Sequence, residues 1–521
     1  MPASADDDPN VVLFMVDQLS ARWLEEPAID AIPTPNIDQL RSQGVTFTNA
    51  IPSNPLCTPA RATISTGLTT RGHGVLQNGY RLDPELPTFM RILQNAGWRT
   101  GVSGKVHHVP HYESAYPNYE QYGFDITHVT EDSRVGEWLD WIREEHPDHF
   151  EDVLATIWDT DVPALHQYGP NDEDLASRIE SIHDAYEWVT EEFPENTQLA
   201  HTLPFPKELS QTEWITRHGE AFIRETDPDQ PFFAQISYVQ PHSPSEPPGE
   251  YMADVDTGKI PEPCPVEWID DPAAPDWFAE TEGARTSIPE DWRQRRQYFF
   301  ADVVHLDEQL GRVLDTLEET GRLENTYVLF LSDHGELLLD HGFTGKNERH
   351  YDACIRVPLT IAGPGLEEGI ECDELVQFED IFPTILDMAG MSPPEPTVMG
   401  SFLEDQPDYL PGGSLLPFCR GESPDEWRTE AYIESYNNID SVSPRYWPRT
   451  IRTKEFRYTW YPRDSGEQLF KITEDPDEQA NLVDDSEFED VRSELHDRLL
   501  KHVVLQDYPH PPRDRFVYGV H

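Results

Sequence analysis

The sequence predicts a mainly parallel α/β sheet covered by helices, followed by a smaller C-terminal α+β subdomain. Residues 11–16, 231–239 and 327–331 form largely apolar runs, as strands buried on both faces of a parallel sheet do. Each run leads into polar or titratable residues: Asp17-Gln18, Gln240-Pro241-His242 and Ser332-Asp333-His334-Gly335-Glu336. In open α/β sheets ligands bind beyond the carboxyl ends of the strands, so three such ends together predict a site. Helical periodicity between the runs completes the pattern. It is clearest over residues 298–320, where Val303, Leu306, Leu310, Val313, Leu314 and Leu317 share a face and Gly321 reads as the stop.

In chain order, residues 34–44 and 86–97 read as short helices, each ahead of a strand. Between them, Asn54-Pro55-Leu56-Cys57-Thr58-Pro59-Ala60-Arg61-Ala62-Thr63 reads as a loop feeding a helix. Thr58 is expected as its N-cap, Pro59 at its first position and Gly67 at its end. Cys57 then lies at a helix N-terminus, where unpaired N–H groups and the helix dipole favour an anion. Taken alone, such a cysteine is more often a buried structural residue. Residues 110–206 are acidic, carry Trp138, Trp141, Trp158 and Trp188, and show no long strand run. Residues 244–292 are rich in proline and acid. Both read as insertions, either capping the catalytic edge or elaborating the surface. Pro393-Pro394-Glu395-Pro396 reads as a linker dividing a catalytic domain, residues 1–392, from the subdomain, residues 393–521. The latter has a strand pattern at residues 457–461 and a final helix near residues 488–503.

The 521 residues carry a formal net charge of -60. Lysine occurs only at Lys105, Lys207, Lys259, Lys346, Lys454, Lys471 and Lys501. The acids are spread along the chain, and 37% hydrophobic with 11% aromatic residues argue for a folded core rather than disorder. The composition fits a surface adapted to high salt, where screening suppresses self-repulsion. It speaks against nucleic acid and anionic membranes as partners. The first nine residues lack a basic leader pattern, no run approaches membrane length, and the five cysteines do not form a disulfide framework. The expectation is a cytoplasmic protein of a high-salt organism.

The spacing Cys57-x-Pro59-x-Arg61 resembles the signature of the sulfatase family. So do residues 10–18, 34–38, 97–107 and 332–336, with Gly345-Lys346, Arg356-Val357-Pro358 and residues 475–482, all in the family's order. The resemblance covers most of the chain and is weakest across residues 110–206. It implies an alkaline-phosphatase-like α/β/α sandwich and a sulfuric ester hydrolase. In this family the signature cysteine, here Cys57, is oxidised to formylglycine by a formylglycine-generating enzyme. One hydroxyl of the aldehyde hydrate attacks sulfur and displaces the alcohol, and the other, losing its proton, expels sulfate and restores the aldehyde.

The resemblance further implies one divalent metal at Asp17, Gln18, Asp333 and His334 beside residue 57. Hard oxygen donors favour calcium or magnesium, and an imidazole in the set tolerates manganese. Many sulfatases have two consecutive acids where this chain has Asp17-Gln18, and Asn where it has His334. The set is closer to the phosphonate monoester hydrolase and choline sulfatase branches. Arg61 and His107 are implied to hold the diol, Lys105 to bridge diol and sulfate, Lys346 to neutralise sulfate oxygens and His242 to protonate the leaving alcohol. Asn78 is a further substrate-contact candidate, although Asn78-Gly79 is also an ordinary turn. The substrate is expected to be a small-molecule or carbohydrate sulfate ester. Two alternatives stay open: a phosphonate monoester or phosphodiester hydrolase with the same site, and a non-catalytic anion-binding protein with unmodified Cys57.

Overall fold

The computed structural model describes residues 8–110, 114–158, 160, 162–169, 173–280, 284–346, 348–393, 410–436, 447–462 and 466–505. Eight strands form the main sheet: β1 (Asn10–Val16), β2 (Gly44–Ile51), β3 (Arg99–Gly104), β4 (Ile126–Val129), β5 (Phe232–Ser237), β6 (Thr326–Ser332), β7 (Leu359–Ala362) and β8 (Ile370–Gln377). Their order is β4-β3-β5-β1-β6-β7-β2-β8. All run parallel except β7, which is antiparallel to both β6 and β2.

Alternation along the central strand explains the layering. Val12, Phe14 and Val16 of β1 face one cluster with Trp23, Phe300 and Val303. Val11, Leu13 and Met15 face another with Ile64, Phe89 and Phe382. Both faces of the sheet are therefore covered by helices, as the unbroken apolar run implied. The chain adopts the α/β/α sandwich expected of the resemblance. Strands β9 (Ala431–Glu434), β10 (Arg449–Arg452), β11 (Phe456–Tyr461) and β12 (Gly466–Lys471) form a second, antiparallel sheet. Tyr432, Ile451, Tyr458 and Leu469 of that sheet pack with Leu495 and Leu499 of the Glu489–Leu505 helix.

Several expectations shift on inspection. The helix expected over residues 298–320 runs from Trp292 to Glu319, because Arg293 and Arg295 mask its first turns while Arg296 lies buried against Trp23. The helix expected over residues 86–97 spans Phe89–Asn95, with the Thr88 hydroxyl accepting from Arg91 N–H as its cap. The stretch read as an insertion from residue 110 includes β4, a four-residue edge strand too short to show a period. Pro394, Glu395 and Pro396 of the expected linker lie outside the described residues, as do residues 1–7. No helix among the described residues is long and apolar enough to cross a membrane.

Candidate active site

The parallel strands deliver their following residues to one edge of the sheet. Register pairs Val16 of β1 with Ser332 of β6, so Asp17 and Asp333 emerge side by side. Gly104 ends β3 at φ +95°, and a Cβ there would collide with the Ser237 carbonyl, so only glycine lets Lys105 N–H donate to that oxygen at 2.8 Å. Gln18 (φ +65°) and His107 (φ +55°) hold left-handed backbone without being glycine. Such strain collects where surroundings over-determine a functional side chain.

Cys57 opens a wholly buried helix, Cys57–Thr66. Its N-cap is Leu56, which has no capping side chain, so Thr58 is not the cap. Asn78 takes that place from another loop, its Oδ1 accepting Thr58 N–H at 3.1 Å. Pro59 accordingly falls at the third helical position, two later than expected, while Gly67 ends the helix at φ +67° as expected. The Asn78 side chain is thus committed, at least through its oxygen, to the helix that carries Cys57.

Around Cys57 Sγ the structure brings together His334 Nε2 at 3.2 Å and Lys346 Nζ at 3.0 Å. Lys346 also donates to Gln18 Oε1 at 2.8 Å. Arg61 spans both acids, with Nε 2.7 Å from Asp333 Oδ2 and a second nitrogen 3.2 Å from Asp17 Oδ2. Lys105 lies 2.5 Å from Asp17 Oδ2 and grips both oxygens of Asp132 at 2.6 and 2.7 Å. His107 is buried, with its backbone N–H donating to Glu131 Oε1 at 3.0 Å. His242, half-buried, has Nδ1 2.8 Å from the Ser243 carbonyl. That carbonyl is an acceptor, so Nδ1 carries the proton and Nε2 the lone pair.

Electrostatics follow from burial and this mixture of charges. Burial opposes ionisation of Asp17, but Lys105 and Lys346 outweigh it and hold its carboxyl well below the usual range. Burial pushes the Cys57 thiol up to about 11, with Asp17 adding to the shift. Burial lowers His334 to about 4 against the pull of Asp333, which keeps the ring neutral. Burial and then Lys346 also lower His242.

The donor set fits a divalent cation. His334 Nδ1 faces the Gly335 carbonyl at 3.0 Å, which leaves Nε2 as a bare lone pair. That nitrogen points at Asp17 Oδ1 (3.5 Å) and Asp333 Oδ1 (3.6 Å), neither of which can donate while ionised. Asp17 Oδ1 is buried and accepts no hydrogen bond. Ligand atoms of Asp17, Cys57, Asp333 and His334 lie within 4.8 Å of one another. An unsatisfied buried carboxylate oxygen beside an imidazole lone pair and a second carboxylate is the kind of donor set a divalent metal satisfies.

Sequence reasoning missed the residues that hold these groups. Glu131 and Asp132 follow β4 inside the stretch read as an insertion, yet they clamp His107 and Lys105. Ser237 accepts from Arg61 at 2.9 Å. The tertiary placement of Glu131 and Asp132 had no local signal, whereas Ser237 could have been found as the last residue of a buried strand.

A sheet of this order covered by helices on both faces, with a cysteine-bearing helix and paired acids at its carboxyl edge, has the alkaline-phosphatase-like architecture. The comparisons name the family. The Sulfatase family matches residues 9–391, and N-sulphoglucosamine sulphohydrolase, C-terminal, matches residues 340–504. The chain belongs to the sulfatase family and is an enzyme of the sulfuric ester hydrolase type. It is 29% identical to an arylsulfatase of Clostridium perfringens over 98% of both chains. It is 27% identical to a choline-sulfatase of Rhizobium meliloti, over 91% of this chain and 82% of that one. Among solved structures it resembles the phosphonate monoester hydrolase of Agrobacterium radiobacter, with a TM-score of 0.73, 24% identity and 96% of each chain covered. At that identity the likeness shows the fold alone.

Proposed function

We propose that this chain hydrolyses organic sulfate monoesters through a formylglycine made from Cys57, assisted by one divalent metal. The observation that carries the reading is the meeting of Cys57 Sγ, the Asp17–Asp333–His334 cluster and the cations Lys105, Lys346 and Arg61 at one buried edge. A thiol raised to about 11 is protonated at neutral pH and is a poor nucleophile. Oxidation to the aldehyde removes that obstacle, and its hydrate would supply a nucleophile and a route for releasing sulfate.

Asp17, Gln18, Asp333 and His334 would hold the metal, with Ca²⁺ the first choice and Mn²⁺ or Mg²⁺ able to replace it. Bound there, it would polarise the oxygen nucleophile and offset sulfate charge. Lys346 and Lys105 neutralise the anionic oxygens of the substrate, and Arg61 fixes the two acids relative to residue 57. His107 orients the hydrate. His242 delivers a proton to the departing alcohol from Nε2, which it must first acquire. A neutral, lowered histidine gives that proton up readily once charged.

A small-molecule or carbohydrate sulfate is the proposed substrate. Relatives named for choline sulfate and for an N-acetylglucosamine 6-O-sulfate support both classes. The Asp17-Gln18 and Asp333-His334 pairs favour one alternative, a phosphonate monoester or phosphodiester hydrolase, since tetrahedral anions of either element suit the same cations. We place the protein in the cytoplasm of a high-salt organism and divide it at residue 392 into catalytic and C-terminal units. Intact mass of Cys57-containing peptides tests for the aldehyde, which is lighter than the thiol. Turnover of an aryl sulfate beside an aryl phosphonate separates the two readings. Faster phosphonate turnover with sulfate left untouched would overturn the first.

A further inference from the structure

The orientation of the Gln18 amide is decided by a residue that does not itself reach Cys57. Glu336 is buried behind Gln18, and its Oε2 accepts a hydrogen bond from Gln18 Nε2. Its other oxygen, Oε1, accepts from the backbone N–H of Leu338 and of Gly345, both at 2.7 Å. Glu336 is thus acceptor on both sides, and an amide facing it must present its NH₂. That turns Gln18 Oε1 the other way, to Lys346 Nζ at 2.8 Å, toward the Asp17, Asp333 and Cys57 cluster. Gly345, whose N–H is held, immediately precedes Lys346. One carboxylate therefore orients a candidate metal ligand and the backbone that carries a candidate sulfate contact.

We propose that Glu336 is the positioning residue that gives Gln18 its ligand orientation and anchors the turn bearing Lys346. The inference rests on the metal reading above. It also explains how a neutral amide serves where a second acid is common: an acid at position 18 would face Glu336 with no proton between them, whereas the amide supplies one. The Cβ position of Gly335 is closed off by the Ala353–Cys354 backbone, to which Gly335 N–H donates through Cys354 O at 2.9 Å, so Glu336 is delivered from a fixed turn.

The test is a double-mutant cycle read as binding of Ca²⁺ and of Mn²⁺, titrated calorimetrically into chelator-treated full-length protein. In Glu336→Gln the single remaining acceptor oxygen stays with the two backbone N–H groups, and the new NH₂ confronts Gln18. The Gln18 amide then turns over, and affinity falls about 10- to 100-fold, the usual cost of losing a partner behind a ligand. Placed in a Gln18→Ala background, Glu336→Gln adds little further loss, because the ligand it orients is gone. The exchange Gln18→Glu with Glu336→Gln restores a donor facing an acceptor and recovers the affinity lost in Glu336→Gln. Equal losses in the two backgrounds, or no recovery in the exchange, would overturn the positioning role. Asp333→Asn and Gln18→Ala that bind metal as well as the parent would instead remove the metal reading itself. Thermal unfolding of each variant separates these outcomes from a fold defect.

Discussion

On the proposed reading, Cys57 and His242 act on opposite sides of the reacting group. The sulfur lies within 3.2 Å of both His334 and Lys346, whereas His242 approaches from the loop after β5. Their variants are therefore separable by leaving group. His242→Ala is expected to slow alkyl sulfates by about 10²–10⁴-fold, the usual worth of a general acid, and acidic nitrophenyl sulfates far less. Lys346→Ala, which removes a charge from the transferring group, is expected to cost about 3–4 kcal/mol for both. A linear free-energy plot against leaving-group acidity reads the difference. A flat profile for His242→Ala would leave that residue as a binding group. The lysines at 105 and 346 are informative in a chain this poor in lysine, since the surface hardly uses them.

At the level of elements, the buried helix Cys57–Thr66 is anchored at its start by a side chain from elsewhere. Asn78 caps Thr58 N–H across 20 residues of sequence, doing what Leu56 cannot. Asn78→Ala should lower stability by about 1 kcal/mol, the ordinary worth of a lost cap, visible as a fall in Tm. If Asn78 also touches substrate, KM rises as well. An unchanged Tm with a raised KM would make it a substrate contact alone. The same arrangement holds at the end of β4, where Glu131 and Asp132 restrain Lys105 and His107. A stretch read as a covering insertion thus reaches the core of the candidate site.

For the whole molecule, charge and buried histidines set the response to solvent. With a net charge of -60, self-repulsion opposes the folded state at low ionic strength. Screening within a few ångströms in molar salt relieves it. Tm is therefore expected to rise steadily with added KCl, and a flat response would remove the high-salt reading. His73, His108 and His201 are each lowered to about 3 by burial. An unfolded histidine titrates near 6.5, so between that pH and about 3 the unfolded chain binds more protons than the folded one. Stability contributed by the neutral rings is complete above pH 6.5 and falls as the solution is acidified below it. Each costs about 1.4 kcal/mol per pH unit. Glu379, raised to about 7 by burial, works in the opposite direction between about 4.5 and 7. Other buried carboxyls, Glu246 and Asp302 among them, are raised as Glu379 is, so the share of His108 is read by difference. His108→Gln should make the urea midpoint in concentrated salt fall less, or rise more, between pH 6.5 and 5 than it does in the parent.

Periodicity and motif spacing determined the central strands, the covering helices and the chain positions of Cys57, Asp17, Asp333, His242 and Lys346. These are short-range properties: a doubly buried strand must be apolar throughout, and its polar successor must leave the sheet at the edge. The antiparallel β7 and the edge strand β4 were not legible. Four residues carry no period, and their place depends on neighbours far along the chain. The cap on Thr58, the clamp of Glu131 and Asp132, and the amide orientation of Gln18 were decided only by tertiary structure. Each is a hydrogen bond or ion pair between segments 20 to 318 residues apart. Local sequence names the donors and acceptors, but only packing of the strand ends on one edge selects which of them meet.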